Sequence, residues 1–241
     1  MQSIEEAAAY RYAFYFAPAP STAWDQAGSH WLGRCAARAL ALPQPDIAGV
    51  PAERFASLTA APRRYGWHGT LKAPFALAPG VTPEALMAAL REVCQALGPF
   101  VMPRLSVRRL DDFLALVPAD EGRESRAIEQ VAGTLVTGLH ALAAPLSPDE
   151  LERRRAAGLT AEEDALLLRW GYPFVLQRFR FHLSLTGTLR GADAATVQAI
   201  EAAARACFDG LPRCVFDAVA VFAEPARGKD FVLVERVALR P

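Results

Sequence analysis

The chain has 241 residues, 52% of them hydrophobic, which is enough for a sizeable core and, as a soft prior, for roughly one to two domains. Its 26 basic and 26 acidic side chains cancel, which argues against the strongly basic footprint of a protein that grips a long nucleic acid, yet leaves room for a small cationic pocket. No apolar run approaches the ~20 residues of a membrane helix, the Met1-Gln2-Ser3-Ile4-Glu5-Glu6 start lacks the basic and apolar regions of a signal peptide, and Cys35, Cys94, Cys207 and Cys214 have no C-x-x-C spacing. The cysteines read as buried thiols of a cytoplasmic protein, neither a zinc site nor a disulfide framework.

In chain order, residues 10–16 read as an aromatic strand. Ser21 opens a helix with Trp24, Trp31, Leu32 and Cys35 at helical spacing. Residues 67–77 read as a strand, and Thr82-Pro83 caps a helix with Leu86, Leu90, Val93 and Leu97 on its apolar face, stopped by Gly98-Pro99. A strand pair follows at 102–109 and 113–117, turning at Asp111-Asp112. Ile128, Val131, Leu135, Leu139 and Leu142 mark another helix. A spacer near 145–172 holds two capping boxes, beginning at Ser147 and Thr160, and predicts two short helices ending at Gly171. It reads either as a connector or as a lid. Residues 180–189 form a further strand, and Asp193 caps a helix with Val197, Ile200, Ala204 and Phe208. Strands near 214–222 and 231–239 close the chain.

The order strand, helix, strand, strand thus occurs twice. At matching places, His68 is followed two residues later by Thr70, and His182 by Ser184. A duplicated α+β unit is read, giving two lobes of a single domain over 1–241 with the spacer between them. In a strand, residues i and i+2 point to one face, so each histidine projects with its hydroxyl. An imidazole titrates near neutral pH, and two of them flanking a phosphodiester supply a general base and a general acid. The hydroxyls stabilise the non-bridging phosphoryl oxygens. This division of labour needs no metal and no cofactor.

The same alternation puts Lys72 on the His68 face and Arg180 on the His182 face, as cations for phosphate or else as solvated strand ends. Trp67 points to the core. Tyr65 reaches the site only if the strand bends before His68, and Tyr172 covers the cleft if the spacer is a lid. His30 and His140 fall in predicted helices and are read as structural. Neither His-x-hydroxyl motif has a carboxylate or thiol at close spacing, as zinc would want, and there is no Gly-rich phosphate loop or G-x-S-x-G elbow.

The strings Arg64-Tyr65-Gly66-Trp67-His68-Gly69-Thr70-Leu71-Lys72-Ala73-Pro74-Phe75 and Phe179-Arg180-Phe181-His182-Leu183-Ser184-Leu185-Thr186-Gly187 resemble the two-histidine (2H) phosphoesterase superfamily, which includes RNA-ligase-like cyclic phosphodiesterases. The Tyr12–Pro18 start and the Trp31-Leu32-Gly33-Arg34 stretch resemble, within it, an uncharacterised bacterial branch associated with phosphonate-utilisation genes. The resemblance implies a bilobal α+β fold: two antiparallel-sheet lobes related by a pseudo-twofold axis around a central cleft, with helices outside. It implies His68 and His182 as the acid–base pair, Thr70 and Ser184 as phosphate ligands, and hydrolysis of a cyclic phosphodiester. Through the branch, it points to a phosphorylated sugar.

Three functions follow as expectations. The first is a phosphodiesterase acting on a small phosphorylated substrate, with Lys72, Arg180 and Tyr65 as candidate phosphate contacts and no membrane partner. The second is an RNA-end 2′,3′-cyclic phosphodiesterase, for which Arg63, Arg64 and the Arg153-Arg154-Arg155 run would supply basic surface. The third is a binding protein that holds a phosphorylated ligand without turnover. Oligomeric state is not legible in the sequence.

Overall fold

The computed structural model describes residues 9–156 and 158–240. Seven strands form one antiparallel sheet: β1 (Arg11–Phe16), β2 (Gly69–Phe75), β3 (Leu105–Leu110), β4 (Phe113–Pro118), β5 (Leu183–Ser184), β6 (Ala218–Glu224) and β7 (Val232–Ala238), in the spatial order β7-β6-β1-β2-β5-β4-β3. The helices are α1 (Ala23–Leu32), α2 (Ala52–Leu58), α3 (Ala60–Tyr65), α4 (Pro83–Gln95), α5 (Arg123–Gly138), α6 (Pro148–Arg155), α7 (Ala161–Trp170) and α8 (Ala194–Phe208).

The sheet has two wings, β7-β6-β1-β2 and β5-β4-β3. They are joined where β2 meets β5 through a single paired position, Gly69 opposite Leu183. The repeated sequence units interleave across this joint. The β3–β4 hairpin of the first unit lies beyond the β5 strand of the second, and the β6–β7 hairpin of the second lies on the side of β2. A wing is therefore not a contiguous half of the chain.

Alternation along β1 sorts the two faces of the sheet. Tyr12, Phe14 and Phe16 enter the main core with Leu71, Leu114, Leu116, Leu183, Val219 and Val221. Helices close this face with i, i+4 stripes: Leu86, Leu90 and Cys94 from α4, and Ile200, Ala204 and Phe208 from α8. Thr82 Oγ1 accepts from the Ala85 amide at 3.2 Å, and Asp193 accepts from the Thr196 amide at 2.8 Å, which fixes where these helices start. The opposite face carries Ala13, Ala17 and Ala220 with Tyr15, Phe222 and Phe231. Of this cluster, Tyr15 borders the cavity that holds His68.

Several expected elements are shorter than the sequence pattern implies. The strand expected at 67–77 begins only at Gly69, because Gly66 adopts φ +81°, ψ 179° and turns the chain at the end of α3. The strand expected at 180–189 reduces to Leu183–Ser184. There the Leu185 and Thr186 amides both donate to the Leu114 carbonyl, and Thr186 Oγ1 accepts from the Leu114 amide, so the ladder ends in side-chain bonding. Leu139 and Leu142 lie past the end of α5, the first capping that helix and the second in a short 3-10 turn, His140–Leu142. Both spacer helices carry the reciprocal capping boxes that the sequence announces, at Ser147–Glu150 and Thr160–Glu163. The spacer is docked: Leu166 and Val175 pack on Val136 of α5.

Gly28 of α1 lies against the Trp67 indole, where an added Cβ would come within 2.0 Å of the ring. The ring also stacks on Phe208. Gly28→Ala forces one of these elements to move, and its expected cost is about 1–3 kcal/mol for overpacking. An unchanged midpoint of chemical denaturation would show that the contact is loose.

Candidate active site

The single Gly69–Leu183 pair lays out the site. Both residues point into the core face, so their neighbours on either side point the other way. Extending the antiparallel register by one residue each way sets His68 opposite Ser184 and Thr70 opposite His182. Each histidine therefore faces the hydroxyl of the other motif. Directly opposed Cβ atoms in such a pair are about 5 Å apart and diagonal ones about 7–8 Å, so the two imidazoles flank a space the size of one phosphate group. Gly69 permits this approach: a Cβ there would meet Phe181 at 2.5 Å and the His182 carbonyl at 3.3 Å.

The two rings are anchored alike. His68 Nδ1 lies 2.8 Å from the Gly66 carbonyl, and His182 Nδ1 lies 2.9 Å from the Arg180 carbonyl, each two residues upstream. A carbonyl only accepts, so each Nδ1 carries the proton, and each Nε2 is left with the lone pair or the second proton. Thr70 Oγ1 sits 3.3 Å from His68 Nε2. Tyr15 stacks on His68 with centroids 3.8 Å apart, and Phe113 lies 5.5 Å from His182. Burial pushes the His68 pKa down to about 4, with the His182 charge a lesser influence; burial lowers His182 as well, opposed by its carbonyl bond and reinforced by Arg180.

The cavity over this floor, about 410 Å³, is lined by His68, Thr70, Ser184, Tyr15, Tyr65, Phe113, Tyr172, Arg11 and Arg154 among others. An adjoining cavity of about 280 Å³ shares Thr70, Phe113 and Tyr172 with it and contains His182, Phe174, Phe179 and Arg180. His68 and Ser184 border the first cavity, His182 the second, and Thr70 both, so the two motifs line adjoining cavities. Tyr65 reaches the first because the Gly66 turn supplies the bend, and its ring stacks on Phe231 at 5.0 Å. Arg180 is exposed at the rim on the His182 side, and its carbonyl is the part that touches a motif histidine.

Lys72 does not share the His68 face. The register with β1 runs Tyr15–Thr70 and then Phe14–Lys72, so an extra residue is accommodated in β2 as a bulge and Lys72 is carried off the expected alternation. It is buried, its Nζ lies 5.1 Å from the Phe75 ring, and it lines a different cavity bounded by His140 and Trp170. Burial lowers its pKa to about 8. Trp67 is in the core, as its position in the alternation requires.

Sequence reasoning passed over three residues. Arg11 lies at the start of β1, where nothing in the local pattern marks it. Its Nε donates to Glu224 at 2.6 Å, and the fully buried Glu224 also holds Arg64 and the Gly228 amide. Arg154 was absorbed into a basic run. Glu224 itself, a carboxylate ending an apolar strand, was the one legible signal, since a buried charge demands partners.

A protein-family profile described as "Protein of unknown function (DUF1045)" matches residues 70–232, more than half of the chain. The chain belongs to the DUF1045 family. Among curated proteins, this DUF1045 chain is 42% identical over 233 residues to ribose 1,5-bisphosphate phosphokinase PhnN of Janthinobacterium sp. (strain Marseille), covering 94% of this chain and 50% of that one. It is 38% identical to the protein of the same name from Laribacter hongkongensis (strain HLHK9), covering 94% and 51%. The chain therefore spans about half the length of the curated relatives it matches. Among solved structures, E. coli LigT complexed with NADP+ superposes with a TM-score of 0.45 at 15% identity over 98% of this chain and 100% of that one; a structure described as a phosphoesterase gives 0.44 at 17%, over 97% and 100%. The chemistry of the site is read from its own geometry.

The anchoring carbonyls make a prediction. In nitrogen-15 NMR spectra at pH 7, both His68 and His182 are expected as neutral Nδ1–H tautomers. Gly66→Ala, which places a side chain in a backbone region essentially restricted to glycine and within 2.6 Å of Ala36, is expected to cost about 1–3 kcal/mol and to lose the His68 signature while keeping that of His182. An Nε2–H signal in the native protein would overturn the anchoring.

Proposed function

We propose that the chain is a metal-independent phosphoesterase that opens a cyclic phosphodiester of a small phosphorylated sugar or nucleotide, with His68 as general base and His182 as general acid. The observation that carries this reading is the pair of identically anchored imidazoles, each across the strand joint from the other motif's hydroxyl. Strong burial keeps His68 neutral at physiological pH and so fit to accept a proton. His182 is less enclosed, and a bound phosphate anion raises its pKa toward the protonated state.

In the free protein, Thr70 can donate to His68 Nε2. Once a phosphate enters, the Thr70 and Ser184 hydroxyls turn to its non-bridging oxygens, and Nε2 accepts a proton from water. The water oxygen bonds to phosphorus, the bond from phosphorus to the ring oxygen breaks, and that oxygen takes the proton from His182. The product is a phosphomonoester and a free hydroxyl. Proton transfer then resets the pair.

The names of the curated relatives support a ribose phosphate as substrate class, and the sequence resemblance adds phosphonate metabolism as the setting. This chain contains no G-x-x-x-x-G-K-[ST] stretch, so the phosphokinase named for those longer proteins is assigned to the half that they do not share with it. The near-zero net charge favours a small substrate over an RNA end. The reading places the enzyme in the cytoplasm, where phosphorylated sugars occur.

His68→Ala and His182→Ala are each expected to lower turnover of a cyclic phosphodiester by ~10²–10⁴, with activity retained in excess chelator. A loss under threefold for either, or abolition by chelator, would overturn the mechanism. The pH profile is a separate check. The base must be neutral and the acid protonated, so kcat/KM rises with pH through about 4 as His68 deprotonates and falls again as His182, itself lowered by burial, deprotonates. In kcat the falling limb moves to higher pH, because bound phosphate raises the His182 pKa. A kcat/KM that climbs steadily from pH 5 to 9 would sink the assignment.

A further inference from the structure

The spacer contributes more to the cleft than a wall. Its basic run, Arg153-Arg154-Arg155, divides by direction. Arg153 pairs with Glu150 at 3.7 Å and Arg155 with Asp164 at 2.6 Å, both at the surface. Arg154 turns inward, lines the catalytic cavity and lies 5.6 Å from the centre of the Tyr172 ring. It enters no ion pair among the described residues, and its Nε is buried without a hydrogen-bond partner. Of the acidic groups, Glu150 is the one acting on it, and Glu150 is already engaged by the Ser147 cap and Arg153. A half-buried guanidinium whose Nε is shut off from water and unpaired is costly unless an anion pairs with it.

Arg11 lines the same cavity from the sheet side and, among the described residues, is held through Nε by Glu224. Glu224 also pairs with Arg64, so one carboxylate serves two arginines and the local charge stays positive before Arg154 is counted. Tyr65 and Tyr172 bring phenol groups to the same cavity, and Tyr65, Tyr172, Arg11 and Arg64 all lie close enough to Tyr15 to act on it electrostatically. Two guanidinium forks and phenolic donors facing one space match the oxygens of a phosphomonoester, which is planar-fork chemistry that arginine performs better than lysine. This cluster is separate from the four residues that flank the scissile group.

We infer that Arg11 and Arg154, with Tyr65 and Tyr172, form a second anion subsite that holds a non-reacting phosphomonoester on the same small molecule as the scissile cyclic diester. The inference rests on the phosphodiesterase reading above and narrows its substrate class to compounds with two phosphoryl groups. Binding energy from the remote phosphate then orients the ring being opened. The inserted segment carries half of the recognition: α6 bears Arg154, and Tyr172 follows α7, which docks on α5 by apolar contacts.

The test pairs a binding measurement with a rate measurement, both on the full chain. Ribose 5-phosphate and ribose are titrated calorimetrically into the His68→Ala/His182→Ala double variant, in which the catalytic groups are absent, and into the same variant with Arg154→Ala. Ribose 5-phosphate is expected to bind and ribose not to, with Arg154→Ala weakening binding at least tenfold. Equal binding with and without Arg154, or no binding to the double variant, overturns the subsite. For rates, adenosine 2′,3′-cyclic phosphate is compared with its 5′-phosphorylated counterpart. The native chain is expected to prefer the latter by at least tenfold in kcat/KM, and Arg154→Ala to erase the preference. If neither compound is cleaved but the Arg154-dependent binding holds, the catalytic reading fails and the subsite stands. If both are cleaved without preference, the subsite fails and the catalytic reading stands. Loss of affinity for an RNA oligonucleotide with a cyclic end, and none for ribose 5-phosphate, would assign Arg154 to an RNA backbone and also overturn the proposal.

Discussion

The structure turns on one thin contact: two strands, drawn from opposite halves of the chain, meet through Gly69 and Leu183. Everything chemical about the cleft follows from that meeting. Because the pair points into the core, the residues on either side must point out of it. Because the strands are antiparallel, each histidine stands across the joint from the partner motif's hydroxyl, while Thr70 also reaches back to His68 of its own motif. A glycine at this joint is a requirement of distance, since the Phe181 ring and a backbone carbonyl occupy the room a side chain would need. A one-residue slip of either strand would turn its histidine and its hydroxyl into the hydrophobic interior, so the core that holds Leu71, Leu183 and their neighbours also sets the register of the site.

The cleft combines that fixed floor with an unusual charge arrangement. Glu224 is fully buried, yet it lies between two arginines and a backbone amide, which satisfies it. It anchors Arg11 at the edge of the cavity. Arg154 comes from the opposite direction, on a helix that belongs to neither repeat, and has no such partner among the described residues. One cation of the cleft is thus held by the fold and the other is left for a ligand. The histidines feel the same burial as a depression of their pKa values, which keeps at least His68 neutral until something anionic arrives.

Much of this was legible in the residues. The twofold recurrence of strand, helix, strand, strand, the caps at Thr82, Asp193, Ser147 and Thr160, and the matched histidine motifs all correspond to local rules, and local rules survive translation into structure. What escaped depends on longer range. Lys72 obeys period-two alternation in sequence and departs from it in space, because a bulge against β1 inserts a residue that no local pattern announces. Tyr65 could be placed only by knowing that Gly66 turns. Arg11 and Arg154 sit far apart in sequence and at the ends of ordinary elements, so their convergence is a property of topology. The interleaving of the repeats was equally hidden, since the sequence shows the units but not how they cross.

That interleaving bears on how the molecule comes into being. Its central strands are separated by nearly half the chain, and the hairpins of each unit rest beyond the first strand of the other. Such nonlocal pairing imposes a loop-closure cost before it returns any stability, and it slows folding. Neither unit can complete its own sheet, so a nascent chain emerging from the ribosome has no finished half to shelter its apolar surface until the last hairpin, β6–β7, has been synthesised. The joint that assembles the catalytic residues cannot close until β5 has been made, and Arg11 meets its buried partner Glu224 only after β6 has followed.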